Sequence, residues 1–268
     1  MIKKVILFVC ILLIPSAFAQ TIYPLATGDF RVSYPDTGSV KLNMQDMQYA
    51  DGAWYYLANL PIAEGSRLIL RYDENRVFDE IVVNYTGVFP QTPPRNTGLA
   101  FDGTYFYVKQ HDFDLMAVFD LNGNFIENRT VEPCGVHTTL SDLTYHEGLI
   151  YQLRNDGDAI CAYDTQGNFL GVNITGILAL QPNPTAVLRA NDKWYVVGGT
   201  TETVYEFYSN GTPTGVTANT NSVGVLDLNG SQGIGTDGSR IYVAGSSEYI
   251  SSFDLNLQDK KLMPADTG

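Results

Sequence analysis

Charged residues are scarce in this sequence of 268 residues, and basic ones are scarcer than acidic ones. Only 17% of the residues are charged, which is low for a helical solenoid, and no stretch of useful length has the apolar spacing of an amphipathic helix. Lysine and arginine number 16 against 29 aspartates and glutamates, which sets the formal net charge at −13. Such a surface repels nucleic-acid phosphates and anionic lipids, and it favours solubility and cationic or neutral ligands.

Sequence motifs of known catalytic sites are absent as well. There is no Gly-x-Ser-x-Gly, no His-Glu-x-x-His and no glycine loop that would cradle a phosphate. No cysteine and histidine spacing suggests zinc. The segment 120–124 approaches a calcium loop, but Gly123 comes too early and Val131 stands where a bidentate glutamate is needed, which excludes an EF-hand.

The first 19 residues have the pattern of a secretory signal. A lysine pair, an apolar run over residues 5–14 and the small-x-small site Ala17-Phe18-Ala19 follow one another. We expect cleavage before Gln20, a net charge of about −15 afterwards, and a protein that is secreted, periplasmic or held at the cell surface. A membrane anchor is the alternative, which the lack of a stop-transfer segment disfavours, so we expect no transmembrane segment in the mature chain.

Cysteine is limited to three residues, of which Cys10 lies in the signal. The remaining pair, Cys134 and Cys161, is even in number and belongs to an oxidising compartment, which predicts one disulfide between a loop and a nearby strand. Two buried free thiols are the alternative.

What the sequence does contain is a repeat of about 45 residues. Asp-Gly or a similar pair lies between short alternating apolar runs, which indicates a β-hairpin, and a tyrosine follows each turn at spacings of 52, 44, 44 and 47 residues. An aromatic residue, usually followed by aspartate, comes later in each unit, before a second tight turn. The tyrosines are Tyr55, Tyr107, Tyr151, Tyr195 and Tyr242.

Each unit therefore predicts four antiparallel strands in a meander, and the period predicts an all-β fold in which the units are the blades of a single β-propeller. Five blades over residues 47–264 are preferred, and six are the alternative. Residues 20–46 are left over, and we expect them to add a strand to the blade that opens at Ile234 and so to close the ring. Residues 265–268 form a C-terminal tail.

The recurring aromatic and acidic residues have structural explanations. The tyrosines occupy one mid-strand position in every unit, which predicts packing between neighbouring blades rather than a stacking platform. The aspartates that follow aromatic residues precede tight turns, where a carboxylate accepts backbone N–H groups two residues on.

Functional residues are expected where the repeat breaks down. Loops between second and third strands, and the connections between blades, reach one face and vary, whereas the opposite face carries short, similar turns. The variable face supplies the ligand-binding candidates, and Asp46 and Asp142 head two innermost strands at the channel mouth, where a polar lining that holds water is the alternative role. The loop candidates are His111, Asp112, Asp114, His137, Asp156, Asp158, Glu202 and Glu248.

Three of these candidates, His111, Asp112 and His137, could bind a divalent cation or act as acid and base. The alternative is a solvated acidic loop. No other cofactor is expected.

Two stretches carry a resemblance to known proteins. Leu99 to Val108 with Phe119 to Gly123, and Ile234 to Val243 with Phe253-Asp254, resemble the repeats of quinoprotein-like, NHL and YncE-type β-propellers. The resemblance implies the fold and no single function, since such propellers include lectins, scaffolds, lyases, lactonases and cyclases. Residues 231–234 are similar to the Gln-Gly-hydrophobic stretch of plant-type glutaminyl cyclases, but residues 244–248 lack the Glu-Ser-Thr-Gly-type stretch expected there.

These observations favour a non-enzymatic propeller that binds a protein or a glycan through the variable face. A metal-assisted hydrolase or lyase with its site at the channel mouth, and a glutaminyl-cyclase-like enzyme, are the alternatives. Pairing of the N-terminal segment with a second copy would make oligomers.

Overall fold

A computed structural model describes residues 31–34, 38–41, 43–59, 67–74, 78–85, 88, 96–110, 114–134, 142–154, 159–179, 184–198, 201–220, 233–244 and 249–264. These residues form five antiparallel four-stranded sheets and one separate two-stranded sheet. The protein is a five-bladed β-propeller, as the repeat predicts, and the six-bladed alternative is not what the chain adopts.

Each blade takes its four strands consecutively from one sequence unit. A hairpin of β1 (Arg31–Tyr34) and β2 (Gly38–Lys41) precedes the first blade. Blade one consists of β3 (Asn43–Ala50), β4 (Ala53–Asn59), β5 (Arg67–Asp73) and β6 (Phe78–Asn84). Blade two consists of β7 (Asn96–Phe101), β8 (Tyr105–Gln110), β9 (Leu115–Asp120) and β10 (Phe125–Thr130).

The last three blades repeat this order. Blade three consists of β11 (Leu143–His146), β12 (Leu149–Arg154), β13 (Ala159–Tyr163) and β14 (Phe169–Thr175), followed by a short 3-10 helix at Ile177–Ala179. Blade four consists of β15 (Pro184–Ala190), β16 (Lys193–Gly198), β17 (Thr203–Tyr208) and β18 (Pro213–Asn219). Blade five consists of β19 (Gly233–Thr236), β20 (Arg240–Ala244), β21 (Tyr249–Asp254) and β22 (Lys261–Pro264).

The ring closes where blade five packs against blade one. Strand β19 lies beside β3, and the rings of Trp54 and Tyr242 meet edge to face at 4.6 Å. The pairing that we predicted between residues 20–46 and blade five is not among the described strand pairings, since β1 and β2 pair with each other. The first blade also begins at Asn43, ahead of the predicted Met47.

The hydrophobic core lies between the blades, and the recurring tyrosines are part of it. All five are less than a tenth exposed, and each belongs to a cluster shared with a neighbouring blade. The Tyr55 ring packs at 4.9 Å from Phe106 of blade two, and the Tyr151 ring at 4.8 Å from Trp194 of blade four. The predicted packing role is therefore confirmed, because a single blade cannot bury its own two faces.

The first turn of each blade takes one of two forms. In blades one, three and four both turn residues have positive φ, for example 49° at Asp51 and 75° at Gly52, which matches the right-handed strand twist. In blades two and five the aspartate caps a longer turn: Asp102 accepts the N–H groups of Thr104 and Tyr105 at 2.8 and 2.7 Å. Glutamate and asparagine stand in place of aspartate in blades three and four, where the first turn has the positive-φ form.

None of the helices in the described parts of the chain is long and apolar enough to cross a membrane.

Candidate functional site

The antiparallel order of the strands gives the ring two unlike faces. Innermost strands begin at the loop face, which also receives the connections between blades and the links from second to third strands. The turn face receives the short links from first to second strands and from third to fourth strands. Asp142 stands at the loop face because it immediately precedes β11, and Asp46 stands there because it lies at a bulge in the first half of β3.

The aspartates before the second turns of blades two, three and five are used within those turns. Asp120 accepts the N–H groups of Asn122 and Asn124 at 2.9 Å, and the side-chain amide of Asn124 at 2.8 Å. The Asn124 amide and the two N–H groups hold the pKa of Asp120 below its usual range. Asp164 and Asp254 make the same backbone contacts in blades three and five. The predicted turn role of these aspartates is confirmed.

The loop face brings together Asp46 and Asp142, whose side chains are each 1% exposed. The Asp46 carboxylate accepts the N–H of Met47 at 2.7 Å and the N–H of Leu99 at 2.6 Å, which joins blade one to blade two. The Asp142 carboxylate accepts the N–H of Val187 at 2.7 Å, which joins blade three to blade four. Both side chains are inter-blade clamps at the channel mouth.

The two carboxyl groups also lie within hydrogen-bonding reach of each other. Burial raises the pKa of Asp46 from 3.8 to about 7, although its hydrogen bonds to Asp142, Leu99 and Met47 oppose the rise. Burial, and then the nearby charge of Asp46, raise the pKa of Asp142 well above its ordinary value. Two buried carboxyl groups in contact cannot both ionise without a large cost.

Glycine provides the room for the clamps. A Cβ on Gly98, which precedes Leu99 in blade two, would lie 2.4 Å from the Leu143 nitrogen and 2.8 Å from the Asp142 carbonyl carbon. A Cβ on Gly233 would lie 2.6 Å from the Asp46 Cα. The sequence analysis missed both residues. The signal was the alternation of aspartate and small residues just before each innermost apolar position: Asp46, Gly98, Asp142, Ala186 and Gly233.

Two other predicted candidates are described, and their backbones make local contacts. The Glu202 side chain is buried, its φ is 50°, and its carbonyl accepts the N–H of Thr220 at 2.7 Å. The Asp114 carbonyl accepts the N–H of Val131 at 2.9 Å. Neither is brought to the Asp46–Asp142 pair by a contact of the described residues. The remaining candidates lie outside the described residues: His111, Asp112, His137, Asp156, Asp158 and Glu248.

Among the side chains that the structure describes, no group of three or more histidine, cysteine, aspartate or glutamate residues could hold a metal ion. The predicted metal candidates His111, Asp112 and His137 all lie outside that set.

Cys134 and Cys161 form a disulfide, with their Cα atoms 6.4 Å apart. The bond ties the chain that leaves β10 to β13 of blade three, the loop-to-strand link that the sequence predicts. The Arg154 Nη1 lies 4.0 Å from the Cys134 sulfur. The disulfide therefore anchors one end of the connection that leads to Asp142 at the loop face.

No protein-family model matches the sequence, and no curated protein sequence matches it either. Solved structures do match the fold. The glutaminyl cyclase of Myxococcus xanthus superposes with a TM-score of 0.60 at 14% identity, covering 84% of this chain and 92% of that one. A chain of a nidogen/laminin complex superposes with a TM-score of 0.54 at 13% identity, covering 89% and 90%.

A third match is a structural genomics protein of unknown function from Bacteroides thetaiotaomicron. Its TM-score is 0.57 at 11% identity, covering 88% of this chain and 64% of that one. These identities establish the shared fold and nothing about activity.

Proposed function

We propose that this chain is a non-enzymatic β-propeller that binds a protein or a glycan through its loop face. The observation that carries the proposal is the contrast between the faces. Most aspartates at the turn face accept hydrogen bonds within their own turns, and the two carboxyl groups at the channel mouth are buried clamps. The loop face is where the polar side chains vary from blade to blade and can select a ligand.

The burial of Asp46 and Asp142 also bears on the enzymatic alternatives. A catalytic carboxyl group has to reach the reacting atoms, whereas these two are 1% exposed and occupied by backbone N–H groups. Any hydrolase or lyase site would therefore have to be built from the loop candidates His111, Asp112 and His137, with a divalent cation held among them. Likeness in fold to a glutaminyl cyclase adds no catalytic residue to this chain.

The binding proposal is tested with two triple variants of the mature protein. One replaces His111, Asp112 and Asp158 with alanine. The matched control replaces Asn122, Gln166 and Asn256, three exposed residues of the turn face, in the same way. Both are measured against an array of glycans and a panel of purified proteins by biolayer interferometry.

We expect the loop-face variant to lose at least about tenfold in affinity for whichever ligand the parent protein binds, while the control keeps it. Equal affinities of the two variants would contradict the proposal. Elemental analysis separates the alternatives, because a stoichiometric divalent ion that is lost in the loop-face variant would favour the metal-assisted enzyme.

Secretion and self-association belong to the same proposal. The disulfide is consistent with an oxidising compartment. Contact of the N-terminal hairpin with a second copy predicts oligomers. A strict monomer in light scattering would contradict this self-association.

A further inference from the structure

One polar atom at the channel mouth has no donor. Asp142 Oδ1 is buried, and no described N–H or O–H group donates to it, while Asp142 Oδ2 accepts the N–H of Val187. The neighbouring polar group is the Asp46 carboxyl, whose oxygens accept the N–H groups of Met47 and Leu99. A buried carboxylate oxygen that meets another carboxylate is repelled, whereas one proton between them makes a strong hydrogen bond.

No basic side chain on the described parts of the five innermost strands neutralises the pair, and the basic residue of β8 on this side of the ring is the buried Lys109, which lies opposite Gly98. Among the described residues of the five innermost strands β3, β7, β11, β15 and β19, the other titratable or charged groups stand toward the turn face, where Arg189 pairs with Asp192 at 3.8 Å and His146 with Glu147 at 3.8 Å. Those groups are Tyr49, Tyr145, His146 and Arg189. Asp142 acts on the pKa of Asp46 through a hydrogen bond that lowers it, and the charge of Asp46 raises the pKa of Asp142.

We propose that Asp46 and Asp142 hold a proton between them, and that this proton fastens blades one to four together at the loop face, so that the ring is more stable in acid than above neutral pH. The device goes beyond the proposed binding function and holds whatever ligand the loop face takes. Asp46 bridges to Leu99, 53 residues along the chain, and Asp142 bridges to Val187, 45 residues along. Loss of the proton places two like charges between these bridges.

The direction in which stability changes with pH follows from the protons bound by the folded and by the unfolded chain. In the folded pair Asp46 keeps its proton up to about pH 7, and Asp142 keeps its own after Asp46 has ionised, whereas an unfolded aspartate releases its proton near 3.8. Between these values the folded state binds more protons, so its stability falls as the pH rises. One proton changes the unfolding equilibrium constant by up to about tenfold per pH unit in this window. The stabilisation is complete below the window; above it the contribution of Asp46 is lost, and that of the proton on Asp142 remains.

The test follows urea unfolding of the mature protein from about pH 5 to about pH 8, in the parent and in Asp142→Asn. The asparagine amide donates to Asp46 at every pH while its carbonyl accepts the Val187 N–H, so we expect the parent midpoint to fall with pH and the variant midpoint to stay nearly level. Asp164→Asn is the matched control on the turn face, where hydrogen bonds outweigh burial and lower the pKa. It should keep the parent's slope.

Infrared difference spectra give a second readout that does not depend on a variant that folds. A protonated carboxyl band that persists above about pH 5, where exposed carboxyl groups have ionised, and weakens near pH 7, where Asp46 ionises, supports the shared proton. Absence of that band above about pH 5 overturns the proposal. Parallel loss of stability with pH in the parent and in Asp142→Asn also overturns it. A third outcome also overturns the proposal: calcium or sodium restores the parent midpoint at about pH 8 and leaves Asp142→Asn unchanged. A bound cation, and not a proton, would then neutralise the pair.

Discussion

Reduction of the Cys134–Cys161 disulfide should destabilise the propeller by about 3.5 kcal/mol. The bond closes a loop of 27 residues, and the chain-entropy relation assigns about 3.5 kcal/mol at 25 °C to a loop of that length. For a domain of this size that free energy corresponds to a fall of roughly 7–14 °C in the thermal midpoint. The loss arises in the unfolded state, which regains the freedom that the cross-link removes.

The assay compares urea unfolding of the mature protein with and without a phosphine reductant, monitored by tryptophan fluorescence. The double variant Cys134→Ser/Cys161→Ala serves as control, since the mature chain has no other cysteine and the reductant should leave its midpoint unchanged. A difference of less than about 1 kcal/mol between oxidised and reduced parent protein would refute the reasoning. It would mean that the unfolded chain is already compact around this segment.

Three further changes test the packing between blades. Gly98→Ala should destabilise the ring by about 1–3 kcal/mol in urea unfolding, because its Cβ would meet the Leu143 nitrogen at 2.4 Å; an unchanged midpoint contradicts the close approach. Tyr107→Phe removes the hydroxyl that donates to Asp102 at 2.6 Å and should cost about 1–2 kcal/mol, and a double-mutant cycle with Asp102→Ala should show coupling. Trp194→Ala, at 2% exposure, should cost about 3–5 kcal/mol, and a loss below about 1 kcal/mol would show that the site collapses around the cavity.

The blade pattern was predictable because its causes are local. Alternation of apolar residues, turn pairs such as Asp51-Gly52, and the aspartate before most second turns act within a few residues of each other. Their contacts in the structure span short sequence distances, as in the Asp120 turn, where donors lie two and four residues on. Interaction between neighbouring blades was predictable for the tyrosines, since one repeated position has to fill one repeated gap.

Outcomes that depend on the whole ring were harder to predict from the sequence. A leftover N-terminal segment favoured closure by strand exchange, yet in the described strands blade five is complete and packs directly on blade one through Trp54 and Tyr242. The role of two candidate site residues also depends on the whole ring. Asp46 and Asp142 were predicted as residues of the channel mouth that could bind a ligand, but ring curvature buries them and aims them at backbone N–H groups of the next blade.

The sequence by itself determined the strands, the turns, the repeat and the interblade packing positions, because short-range sterics, side-chain alternation and turn chemistry decide these. Only the tertiary structure decided that Asp46 meets Asp142 across Gly98. It also decided which of the Asp-Gly aspartates cap their turns, and how the ring closes. Those outcomes depend on curvature accumulated over five blades, which places residues from separate repeats within one hydrogen bond of each other and removes water from between them.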